Sequence, residues 1–146
     1  MGNTKKRYSS FTLGDMSAIY IQDVGQGVLG LTLLPKKLED QFTLEGRWQV
    51  EPLVQVKAVG DVYPGGYSLG HTMRNSQTAW KLRVTGQSVK EEAGTTEIVT
   101  EFQSDRLRAE HILIHEEGEP YLISKTRLMN PTTGNQRIEY LASYSL

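Results

Sequence analysis

The chain has 146 residues, of which 38% are apolar and 23% charged, and a net charge of -1. That length fits one domain able to bury about 70% of its extended-chain surface, and the charge balance lacks the basic excess of a nucleic-acid or membrane-surface binder. With no cysteine, disulfides, thiolate nucleophiles and cysteine metal sites are excluded.

In chain order, Lys5-Lys6-Arg7 forms the only basic cluster and reads as a solvated tail rather than a phosphate contact. Ser17–Gln22 and Val28–Leu34 are the first strand candidates, separated by the turn sequence "VGQG". Leu33–Gln41, entered at Pro35, is the best helix window, but its apolar face is thin. Leu53–Val59 alternates, with Val54, Val56 and Ala58 opposite Gln55 and Lys57. Ala79–Val84 alternates too and reads as a strand with Trp80, Leu82 and Val84 inward. Glu97–Phe102, Leu107–His115, Tyr121–Met129 and Arg137–Leu146 then follow through "EEGEP" and "NPTTGN", as in an antiparallel meander. The pattern predicts one all-β domain over 1–146, an antiparallel β-sandwich or an up-and-down β-barrel. No apolar run approaches the roughly 18 residues of a membrane span, so a cytoplasmic protein is expected.

Three motifs imitate chemistry. "GQGVLG" (Gly25, Gly27, Gly30) matches a dinucleotide fingerprint, but an apolar run closed by Pro35 follows where the mechanism needs a helix, so a hairpin turn is expected. "GYSLG" around Ser68 matches a nucleophile elbow, yet lies in loop sequence with no strand-to-helix junction, and a serine hydrolase ranks last. His111 and His115 stand four apart in "EHILIHEE". On a helix they would share a metal; on a strand they share a face about 13 Å apart and cannot. The alternation favours the strand, and Glu116, Glu117 and Glu119 then form a solvated turn. A glycosidic carboxylate pair stays open there, because its separation is not legible in sequence. No metal or cofactor is expected.

Two aromatic residues and one loop are the better binding candidates. Trp80 reads as core, whereas Trp48, in the looser "EGRWQVEP", suits an exposed or interface position. The stretch "VKAVGDVYPGGYSLGHTMRNS" is long for a structureless loop. It carries Asp61, Tyr63, His71, Arg74 and Asn75, a polar set suited to a ligand or a partner chain; a mobile surface loop is the equal alternative.

Two regions carry a family resemblance. "SAIYIQDVGQGVLGLTLLPKKL" resembles the opening of the N-terminal domain of glycoside hydrolase family 36, the α-galactosidase family. The tail resembles a later part of that domain's meander, with Arg127, Asn130, Gly134, Glu139, Leu141, Ser143 and Leu146 in the family's order. The resemblance implies a β-sandwich ahead of a (β/α)₈ catalytic barrel in a retaining glycosidase that uses two aspartates. Both aspartates belong to the barrel, so no catalytic residue is expected in this chain. It also implies that the alternation running to Leu146 belongs to a longer polypeptide. The expected partners are the barrel, a carbohydrate substrate and a second subunit of a homo-oligomer. Gly60-Asp61 fits a family loop that reaches a substrate pocket; Asp61 on that ground, and Trp48 and Arg74 from their sequence settings, are the expected substrate-binding residues. The competing expectation is a stand-alone small barrel or sandwich that binds an apolar or sugar ligand.

Overall fold

The structure, a computed structural model, describes residues 5–45, 50–63 and 75–143. Its first sheet is the meander β1 (Lys6–Leu13), β2 (Met16–Asp23) and β3 (Val28–Pro35). Gly14, at φ 60, closes the first hairpin; Gly27, at φ 68, closes the second and donates to Asp23 O at 2.8 Å. The expected hairpin at "GQGVLG" is therefore what forms. A 3₁₀ turn, Lys36–Gln41, follows Pro35 and is tied back when Ser10 and Ser17 donate their hydroxyls to Glu39. Those two bonds, the Ser10 one first, hold the Glu39 carboxyl below its ordinary pKa.

β4 (Gln55–Ala58) pairs only with β9 (Ile138–Ala142). Between β4 and the next sheet stands a short helix, α1 (Gln77–Lys81), where the alternation of Ala79–Val84 predicts a strand. The helix wins because Ser76 caps it, accepting from Ala79 N at 3.1 Å while donating to the carbonyl of Val56 on β4. The strand begins only at Arg83. Trp80 keeps its core role, packed from α1 against Ile19, Ile21, Val28 and Val50.

β5 (Arg83–Glu92), β6 (Thr95–Gln103), β7 (Arg108–Glu116) and β8 (Ile123–Met129) form the second large sheet, every pair antiparallel. The β5–β6 turn places both Ala93 (φ 49) and Gly94 (φ 79) at positive φ, as a two-residue hairpin of the I′ kind demands. The two large sheets close on one core. Leu13, Ala18, Tyr20 and Leu29 of the first meet Ile98, Phe102, Ala109 and Leu113 of the second, with Leu53, Val54 and Val56 between. The fold is an all-β sandwich. The expected barrel alternative is corrected, because the strand orders β1-β2-β3, β4-β9 and β5-β6-β7-β8 leave open edges and do not close into a ring. β2 is buried on both faces, since Phe42, Leu44, Val50 and Trp80 cover its outer side. Among the described residues no helix is long and apolar enough to cross a membrane.

Candidate functional site

β4 is buried, with Val56 in the core, but its partner β9 and the described turn after β4 are thinly covered. In β9 only Ala142 is half-buried; Ile138 is 38%, Tyr140 52% and Leu141 40% exposed. A bulge breaks the alternation here, pairing Ile138 with Ala58 and Tyr140 with Lys57. Lys57 therefore lies beside Tyr140. Val59 and Val62, on the loop just beyond β4, are 60% and 59% exposed. Lys57 forms an ion pair with Glu139 and lies 5.6 Å from the centroid of the Tyr63 ring. The Glu139 bond is the main reason the Lys57 ammonium is held above its ordinary pKa. The surface thus combines bare apolar side chains with a few fixed charges.

Asp61 sits at the base of this surface, half-buried. Its Oδ2 accepts from Ala58 N at 3.1 Å and Thr78 N at 3.2 Å, and its own N–H donates to Ala58 O at 3.0 Å. Burial pushes its pKa up, but hydrogen bonds from Thr78, Ala58 and Ser76 outweigh that and leave it lowered. The carboxylate is ionised, and it locks the turn after β4 to the start of α1. Gln77 N donates to Val62 O at 2.9 Å, and Gln55 donates to Asn75 Oδ1 at 2.8 Å, so both ends of the loop are pinned. Trp48 and Arg74, along with His71 and the whole of "GYSLG", lie outside the described residues. Of the three expected binding residues, the structure therefore places Asp61 alone.

The two histidines of β7 share one strand face, as expected, and differ completely in setting. His111 is fully buried and its Nε2 lies 2.8 Å from Ser124 Oγ. Ser124 Oγ in turn donates to Ser143 O at 2.9 Å. The serine proton is thereby committed, so Nε2 carries the imidazole hydrogen and Nδ1 is a bare acceptor. This polarity is the reverse of a nucleophile–base pair, in which the serine would donate to the ring. Burial lowers the His111 pKa to about 4, with a smaller opposing effect from the Ser143 backbone. His111 Nδ1 and Thr126 Oγ1, on register partners, are both buried without a hydrogen-bond partner. Sequence reasoning has no signal for this network, since it depends on which residues face each other across β7, β8 and the chain after β9.

His115 lies at the open end of the sandwich, in a cleft of about 730 Å³ lined also by Asp15, Glu91, Glu92, Glu117 and Glu119. A methyl on Gly14 would come within 2.7 Å of His115 Nε2, so that hairpin and the imidazole are packed closely. The negative field is felt nearby: Glu119 first, then Glu116, raise the Tyr121 phenol above its ordinary pKa. No group of three or more metal-ligating side chains comes together among the described residues. In comparisons with known proteins, the chain matches no family model, and no curated protein or solved structure matches it significantly.

Proposed function

We propose that this chain is a non-catalytic β-sandwich domain of an α-galactosidase-like glycoside hydrolase, packing on a catalytic barrel or a neighbouring subunit and shaping the rim of the active site. The observation that supports it is the exposed strand β9 with the turn beyond β4. Ile138, Tyr140 and Leu141 on β9, with Val59 and Val62 beside it, leave apolar side chains in water where an isolated domain gains nothing from them. A barrel or second subunit laid on this surface would bury them. It would also bring the Asp61 loop, pinned at both its described ends, to the edge of the shared cleft, where Trp48 and Arg74 are the proposed sugar contacts. The proposed setting is cytoplasmic and the proposed assembly homo-oligomeric.

The test is the size of the native polypeptide in its own cell, probed with an antibody raised to residues 1–146. The expected band is several times larger than 16.4 kDa, and the purified polypeptide is expected to hydrolyse a nitrophenyl α-galactoside. A native band at the size of this chain alone sinks the proposal.

A further inference from the structure

The inner face of the first sheet changes character halfway along β1. Leu13 and Phe11 point into the core, but two and four residues earlier Ser9 and Arg7 occupy the same face. On β2, Ala18 and Tyr20 give way likewise to Gln22, the register partner of Arg7. The sandwich therefore holds polar side chains where its pattern calls for apolar ones, and there it opens a pocket of about 360 Å³, near the lower end of the usual range for small-molecule sites. Leu29 and the buried Tyr20 lie among its apolar lining, and residues 84–87 of β5 form one wall. That wall carries a bulge: the register slips between Val84 and Gly86, leaving Thr85 as the extra residue.

The polar groups of this pocket are arranged rather than scattered. At the exposed rim Arg7 Nε donates to Gln22 Oε1 at 2.7 Å, which orients the guanidinium. Its terminal nitrogens bond to no described residue, and the same holds for the Gln22 amide N–H groups and the Ser9 hydroxyl. Across the pocket, Gln87 Nε2 donates to Thr100 Oγ1 at 2.9 Å, which leaves Gln87 Oε1 as an acceptor. Arg7 is the one charged residue in the lining, and no carboxylate side chain joins it.

We propose that this pocket binds a small hydroxylated monocarboxylate. The ligand's carboxylate takes the free fork of Arg7, with a further hydrogen bond from Gln22, and a ligand hydroxyl donates to Gln87 Oε1. A planar guanidinium presents two parallel N–H donors that match a carboxylate. One fixed positive charge neutralises one negative charge, whereas a phosphate monoester carries nearly two and would stay half-compensated. This site is separate from the ribbon and does not rest on the packing role proposed above.

Titration calorimetry and backbone-amide NMR on the 146-residue chain test the assignment, with D-glucuronate as probe and D-glucose as its uncharged counterpart. Glucuronate is expected to bind saturably and to shift the amides of residues 7–9, 22 and 84–87, while glucose at the same concentration does neither. Arg7→Gln should weaken glucuronate binding by about tenfold or more. Arg7→Lys, which keeps the charge and loses the fork, should weaken it several-fold. Gln87→Leu should weaken glucuronate but leave acetate unchanged. Circular dichroism checks that each variant is folded; if Arg7→Gln is not, Arg7→Lys carries the test. Equal binding of glucose and glucuronate, tighter binding of inorganic phosphate, unchanged affinity in the folded Arg7 variants, or no shift with glucuronate would each overturn the proposal.

Discussion

The sheet β5–β8 and the ribbon β4–β9 are both antiparallel and both alternate in sequence, yet they meet water differently. In β6 and β7 the alternation is cashed in: Ile98, Thr100 and Phe102, then Ala109, His111 and Leu113, are buried against the first sheet. In β9, Ile138, Tyr140 and Leu141 follow an equally apolar sequence and stay exposed on both faces of the strand. Periodicity thus fixes which residues share a face, and a second layer decides whether that face is buried. A two-stranded ribbon cannot supply that layer itself.

Core truncations should show the difference most sharply. Leu113→Ala, at 1% exposure, is expected to cost about 3 kcal/mol in urea denaturation, whereas Leu141→Ala, at 40%, should cost well under about 1 kcal/mol. Equal losses would mean that the ribbon is as well packed as the sheet.

The next effect is pH-dependent and belongs to the sheet. His111 binds its proton near pH 6.5 when unfolded and only near pH 4 when folded. Between those values the unfolded state holds more protons, so stability falls as pH drops through that window, by about 3 kcal/mol in total. Above pH 6.5 the contribution is complete. Its register partners Thr100 and Thr126, and its hydrogen-bond partner Ser124, are uncharged. Denaturation midpoints measured from pH 7 to pH 4 should show this slope, and His111→Gln should flatten it. An unchanged slope in that variant would assign the acid sensitivity to other groups.

On the ribbon side, Asp61→Ala removes the acceptor of two backbone N–H groups and should cost about 1–2 kcal/mol. Amide exchange should rise at Ala58 and Thr78 but not in β6 or β7. In the glycosidase proposed above the same change is expected to raise the substrate requirement without unfolding the domain; unchanged kinetics would limit Asp61 to its capping role. The smallest effect is a gain: Ala93→Gly relieves an alanine at positive φ in the β5–β6 turn and should stabilise by about 0.5–1 kcal/mol, visible as a higher melting temperature.

Much of the fold was legible because alternation and turn chemistry are local. The strands around Ile19, Leu31, Val56, Ile98, Leu113 and Leu128, and the hairpin at Gly27, follow from a few adjacent residues. β1 was not legible, because Ser9 and Arg7 break the apolar face that Phe11 and Leu13 begin. The helix at Gln77–Lys81 was misread because its cap, Ser76, is held by Val56 some twenty residues away. The site was less legible still. Asp61 could be named from its loop, but its two N–H partners come from different elements, and the Arg7–Gln22 pair exists only through strand register.

The sequence by itself determined an all-β chain, its hairpin turns and the inward face of most strands, since backbone sterics and a two-residue period act over a few residues. Tertiary structure alone decided that β2 is buried on both sides and β9 on neither, that His111 is a neutral buried donor while His115 lines an acidic cleft, and that the exposed Arg7 is held by Gln22 at the rim of a pocket. Each of those outcomes depends on what is laid against a residue by distant parts of the chain, and burial and hydrogen-bond partnership are properties of that contact.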